Sequence, residues 1–82
     1  MIRLLYFASL RERLGRGDET LDRTPATVGR LRAELAGRGV PWSDVFAADQ
    51  RVLAAVNQTM AGDDHTLADG DEVGFFPPVT GG

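Results

Sequence analysis

The chain has 82 residues with a formal net charge of −3; 43% are hydrophobic, 26% are charged, one is His and none is Cys. This length makes one small domain that buries little more than ~60% of its unfolded surface, so the core is modest. Without Cys there are no disulfides, thiolate metal ligands or Cys nucleophiles, one His cannot build a zinc cluster, and net negative charge argues against nucleic acid, whose phosphates need a basic footprint.

The chain opens on a strand-like run, Met1–Phe7, with Ile2, Leu4 and Tyr6 on one face and Leu5 and Phe7 on the other. Both faces are apolar, which suits a central, buried strand better than an edge. No basic n-region or apolar h-region precedes it and no segment reaches the ~18 apolar residues of a membrane span, so a soluble cytoplasmic protein without a membrane partner is expected. From Ala8 to Leu14 the spacing changes to Leu10 and Leu14 with Arg11, Glu12 and Arg13 between them, and Gly15 and Gly17 follow as stop signals. A short amphipathic helix is expected. Arg11 and Arg13 read most simply as its solvated face, with a docking contact as the alternative.

Glu19–Arg23 alternates weakly around Leu21 and predicts a second strand, antiparallel to the first. Thr27 is placed to cap a helix whose buried stripe is Val28, Leu31 and Leu35, with Arg30, Arg32 and Glu34 facing water and Gly37 and Gly39 ending it. Val40–Ala48 reads as a loop with one helical turn that tucks Trp42, Val45 and Phe46 against the core. Within residues 37–50 the sequence assigns no role.

Arg51–Asn57 is a strand of small and branched residues, and Asn57-Gln58 turns it into a brief strand, Thr59–Met60, ending at Gly62. Asp63-Asp64-His65 invites a metal or catalytic reading, but adjacent Asp residues point apart and no further ligand lies at a helical or strand spacing, so a polar turn is expected. Asp69-Gly70-Asp71 signals a tight turn into the last strand, Glu72–Phe76. A single long helix joining the second and third strands predicts an α+β fold, one mixed sheet curled around that helix.

The last eight residues are Phe75-Phe76-Pro77-Pro78-Val79-Thr80-Gly81-Gly82. Two prolines end sheet pairing and stiffen the exit, which divides the chain into a domain over residues 1–77 and an extended, flexible tail over residues 78–82. Extended, those residues reach roughly 15 Å, enough to enter a partner's pocket. Gly81 and Gly82 carry no Cβ and fit a narrow channel. A Gly-Gly end alone reads as a frayed terminus; preceded by an aromatic pair and a diproline, it reads as a delivered carboxylate. Residues 1–48 hold eight Arg against six acids (+2) and residues 49–82 one Arg against six (−5), so the tail belongs to an acidic half suited to a basic partner.

The runs Leu53-Ala54-Ala55-Val56-Asn57-Gln58-Thr59, Asp64-His65, Asp69-Gly70-Asp71-Glu72-Val73 and Phe75 through Gly82 resemble the small subunits of molybdopterin synthase, with weaker likeness in Ile2–Phe7, Arg11-Glu12 and Pro25–Leu31. The resemblance implies a ubiquitin-like β-grasp and a sulfur carrier in molybdenum cofactor biosynthesis. An E1-like adenylating enzyme, using ATP and Mg²⁺, would join the Gly82 carboxylate to AMP, and sulfur would displace AMP to leave a thiocarboxylate. Gly82 would react, Gly81 would give clearance, and Phe75, Phe76, Pro77, Pro78, Val79 and Thr80, with Arg11, would meet the large synthase subunit in a heterotetramer. There the sulfur would attack a cyclic pyranopterin precursor. A thiocarboxylate is nucleophilic at neutral pH without a general base, so no cofactor or metal is expected on this chain, and acid–base groups would come from the partner.

Other readings are a thiamine-type sulfur carrier, a ubiquitin-like protein modifier and a binding module with an inert tail. All nine basic residues are Arg, so a modifier of this sequence could not link to a lysine of its own copies.

Overall fold

A computed structural model describes residues 1–78. Among these residues the elements run β1 (Ile2–Tyr6), α1 (Ser9–Leu14), β2 (Asp18–Leu21), α2 (Val28–Ala36), α3 (Trp42–Val45), β3 (Leu53–Val56), β4 (Thr59–Ala61) and β5 (Glu72–Phe76). The strands form one mixed sheet in the order β2-β1-β5-β3-β4. β5 is central: it runs parallel to β1, with Tyr6 opposite Phe75, and antiparallel to β3, with Ala54 opposite Phe75. β2 pairs antiparallel with β1, as its sequence predicts.

The two-residue period of the strands and the helical period of α2 converge on one cluster. Ile2, Leu4 and Tyr6 from β1, Val73 and Phe75 from β5, and Val28, Leu31 and Leu35 from α2 are each at most 1% exposed. Thr27 caps α2 as expected: its backbone is extended and its hydroxyl accepts from the Arg30 N–H at 3.2 Å. The Asp63–His65 turn completes that end of the helix. Its carbonyls accept from the Gly29 N–H (Asp63, 2.9 Å) and the Val28 N–H (His65, 3.1 Å), satisfying donors that the first helical turn leaves unpaired. Gly29 permits this approach, since a Cβ there would stand 3.1 Å from the Asp63 side chain and carbonyl.

The helical turn expected within Val40–Ala48 is α3. Val45 and Phe46 are buried, and Trp42 packs against the same cluster. Strand order, parallel β1/β5 pairing and a helix between β2 and β3 are those of the ubiquitin-like β-grasp, the fold expected from the sequence.

Two expectations need correction. β1 is central, between β2 and β5, as expected, but it is buried on one face only: Leu5 is half-buried, and Phe7, just past its end, is 47% exposed. Nor does Arg32 face water with Arg30. Its guanidinium lies over the Phe75 ring at 5.6 Å, Nε stands 2.8 Å from Asp63 Oδ1 without aiming its N–H at that oxygen, and 21% of the side chain is exposed. An aromatic face beside the helix outcompetes water for the weakly hydrated guanidinium plane.

Candidate functional site

β5 carries the segment that leads into the tail, so the site is built outward from it. Consecutive strand residues point to opposite faces, and the Phe75-Phe76 pair is therefore split. Phe75 turns inward, stacked with Tyr6 (centroids 6.3 Å) and edge-on to Phe46 (5.1 Å), and is 0% exposed. The expectation that Phe75 belongs to the partner-binding neck is corrected by this burial: its ring is a core ring. Phe76 is half-buried on the outer face.

That outer face holds a shallow apolar pocket of about 140 Å³, lined by Leu5, Phe7, Ala55, Gln58, Glu72, Gly74 and Phe76. Three neighbouring strands or their ends supply it. Gly74 forms the floor: a Cβ there would stand 2.9 Å from Phe7 Cε2, so the missing side chain lets the Phe7 ring lie down on β5. The Phe7 N–H donates to the Phe75 carbonyl at 3.0 Å, which ties the two strand ends together. Beyond this pocket Met60 adds another apolar side chain, 58% exposed. Exposed apolar surface next to a chain end marks an interaction site more readily than scattered single residues do.

Backbone strain gathers at the same place. Among the described residues the non-glycine positions with positive φ are Ala8 (54°), Asn57 (50°) and Gln58 (70°). Ala8 follows Phe7, and Gln58 lines the pocket with Asn57 beside it. Such strain persists where surrounding structure over-determines it, and it clusters at binding sites.

Behind the sheet, a polar cluster ties β1 to β2 and to the segment after α2. Tyr6 donates its hydroxyl hydrogen bond to Glu19 at 2.6 Å, and Arg38 grips the same carboxylate through Nη1 (2.7 Å) and Nη2 (3.1 Å). Burial alone would raise the Glu19 carboxyl, but hydrogen bonds from Arg38 and Tyr6 outweigh it and hold the group below the ordinary glutamate value. Burial, then the bond to Glu19, pushes the Tyr6 hydroxyl well above its ordinary value. Arg38 also covers the Trp42 ring at 4.5 Å, and Trp42 meets Tyr6 edge-on at 5.4 Å. On the outer side, the backbone N–H of Ala68 and then the Asn57 amide lower the Asp71 carboxyl, fixing the turn that feeds β5.

Other expected site residues fall as follows. Pro77 and Pro78 are half-buried beyond the end of β5 and belong to no strand, in keeping with prolines as its stop. Val79, Thr80, Gly81 and Gly82 lie outside the described residues, as does most of the proposed tail. Arg11 is exposed on α1, with its side chain against Gly17 just before β2, and does not line the pocket. A larger hollow of about 520 Å³, lined by residues including Gly29, Arg32, Ala33 and Phe46, lies against α2 and shares no residue with the β5 pocket. Among the described residues no group of three or more His, Asp or Glu side chains is placed to hold a metal, and no helix is long and apolar enough to cross a membrane.

Leu5, Phe7, Ala55, Gln58 and Gly74 are site residues that the sequence reading did not single out. The signal for the first two was present: a strand apolar on both faces has either two cores or one core and one docking face.

Both the sequence and the fold are similar to those of known proteins. The chain is 46% identical to the molybdopterin synthase sulfur carrier subunit of Escherichia coli (strain K12), over all 82 residues and the full length of both chains. It is 38% identical to the subunit of the same name from Haemophilus influenzae, again over 100% of each. Its structure matches that of SAMP1, small archaeal modifier protein 1, from Haloferax volcanii with a TM-score of 0.76 at 33% identity, covering 99% of this chain and 98% of that one. Residues 4–82 match the profile of the ThiS family, from β1 through the Gly-Gly end, and the chain belongs to that family.

Proposed function

We propose that this chain is the sulfur carrier subunit of a molybdopterin synthase, carrying sulfur as a thiocarboxylate on Gly82. The observation that carries this reading is full-length identity of 46% with a subunit of that name, extending over the segment that leaves β5. The domain presents its C-terminal strand at the centre of the sheet, flanked by an apolar face that a protein partner can cover.

The division of labour follows from what the chain has and lacks. A carboxylate is a poor electrophile, so an adenylating, E1-like partner using ATP and Mg²⁺ first joins it to AMP with release of pyrophosphate. Sulfide then attacks the acyl carbon and expels AMP. The resulting thiocarboxylate attacks a carbon of a cyclic pyranopterin precursor inside the large synthase subunit and displaces an oxygen substituent, and water then cleaves the acyl–sulfur bond, leaving sulfur on the pterin and restoring the Gly82 carboxylate; the large subunit supplies the acid–base and substrate-binding groups, and the small subunit the nucleophile and the means of delivering it. Phe76, Pro77, Pro78, Val79 and Thr80 form the neck, Gly81 gives clearance, and Phe7 and Leu5 extend the docking face. Arg11, exposed on α1, is a further candidate contact. The reaction belongs in the cytoplasm, where ATP is at hand.

The test is the intact mass of the chain before and after incubation with ATP, a cognate adenylating enzyme and a sulfide source. A gain equal to exchanging one oxygen for sulfur on Gly82 supports the carrier role; an unchanged mass, with the enzyme active on another carrier, overturns it. The 33% identity with an archaeal modifier favours one further reading, attachment of Gly82 to lysine amines of other proteins. Conjugates of single copies in lysate, absent when Gly82 is deleted, are its signature, since the chain has no lysine of its own.

A further inference from the structure

The β3–β4 turn is strained where it has no need to be. Val56 and Thr59 pair across a two-residue loop, and both central residues, Asn57 and Gln58, have positive φ. Asn followed by Gly is the favoured pair for such a turn, because glycine alone takes the second position without a Cβ penalty. Here that position is Gln58, at φ 70°. Asn57 accounts for itself: its amide donates to Asp71 Oδ1 (3.0 Å), and its side-chain oxygen accepts from the Glu72 N–H (3.1 Å). Gln58 does not. Its side chain is exposed and makes no hydrogen bond to the described residues.

Its position supplies a reason. Gln58 lines the pocket formed by Phe7, Gly74 and Phe76, and it is the uncharged polar side chain among the residues around that apolar floor. The turn beneath is tied to β5 from both sides, with the Asn57 N–H donating to the Glu72 carbonyl at 2.8 Å, so the amide is presented from a fixed base. A primary amide donates and accepts at once and matches the two halves of a peptide group. It is also far less costly to strip of water than a charge.

We propose that Gln58 is the specificity-determining polar contact of this docking face, its amide hydrogen-bonding a main-chain peptide group of the large synthase subunit as that subunit covers Phe7 and Phe76. The inference rests on the proposed pairing with that subunit. Strain at Gln58 is then stability given up for recognition.

The test compares three full-length chains, unsubstituted, Gln58→Gly and Gln58→Met, for thermal unfolding midpoint and for affinity to purified large subunit by calorimetry. Gln58→Gly is expected to raise the midpoint and yet weaken binding by about tenfold, since a partner peptide group is left unpaired. Gln58→Met keeps the length and the Cβ but loses the amide; its midpoint should stay near that of the unsubstituted chain, with about the same tenfold loss. A structural role for Gln58 predicts the reverse, a lowered midpoint. Affinity unchanged in both variants while the unsubstituted chain binds overturns the Gln58 contact alone. Failure of the unsubstituted chain to bind overturns the pairing and the contact with it.

Discussion

Phe75 and Phe76 are neighbours in sequence and lie on opposite faces of the sheet: the first is 0% exposed against Tyr6 and Phe46, and the second is half-buried in the outer pocket beside Phe7 and Gly74. The split divides stability from recognition at one peptide bond. Phe75→Ala should lower unfolding free energy by ~3–5 kcal/mol, the usual loss for a core aromatic. Phe76→Ala should leave the fold nearly intact while weakening the large-subunit complex by ~1–2 kcal/mol or more. Urea unfolding and calorimetric binding of the two variants check this; equal effects of both substitutions in either assay would contradict the division.

The chemistry is expected to separate from both. Deleting Gly82, or changing Gly81 to Trp, removes or blocks the carboxylate proposed to react and alters none of the residues that form the buried cluster. Both variants should unfold at the midpoint of the unsubstituted chain and still bind the large subunit, yet form no pterin product in a reconstituted synthase assay. Loss of folding in either variant would show that tail and domain are one unit.

Helix α2 sets the stability of the scaffold. Leu31 is 0% exposed at the centre of its buried stripe, so Leu31→Ala should cost ~2–5 kcal/mol. Thr27→Ala removes only the cap to the Arg30 N–H and should cost about 1 kcal/mol. Chemical denaturation orders the two, and a larger loss at Thr27 than at Leu31 would mean that α2 is held by its end and not by its face.

Periodicity and caps made most of this fold legible in the sequence. The stripe Val28, Leu31, Leu35, the cap Thr27, the turn at Asn57 and the stops at Gly15 and Pro77 are local signals, and local physics decides them. The outer apolar face was less legible, because it is a surface. Leu5 and Phe7 have the composition of core residues, and only their exposure in the folded chain shows that no second layer of the described residues covers them. Phe75 and Phe76 could not be assigned to their faces until the register against Tyr6 and Ala54 was known. Arg32 departs from its expected place for a similar reason: helical spacing places it near water, and the Phe75 ring that attracts it comes from a strand more than forty residues away.

The cluster behind β5 makes stability depend on pH at both ends. Glu19 is held below the ordinary glutamate value of 4.5 by Arg38 and Tyr6, against the opposing effect of burial. As pH falls past 4.5 the unfolded chain therefore takes up its proton first; the stabilisation from this carboxylate is complete above that value and is lost as pH drops through the folded one. Tyr6 has the opposite sign. Its folded value is raised above the ordinary 10.0, so its contribution is complete below 10.0 and declines as pH rises beyond it. Glu19→Gln should flatten the acid limb and lower stability at neutral pH toward the lower end of ~1–3 kcal/mol, because Arg38, 31% exposed, can turn partly to water. Tyr6→Phe should flatten the alkaline limb while leaving the ring stacked on Phe75. Urea unfolding across the pH range measures both slopes, and an acid limb as steep in Glu19→Gln as in the unsubstituted chain would assign that limb to other carboxylates, with Asp71, lowered by the Ala68 N–H and the Asn57 amide, the next to substitute.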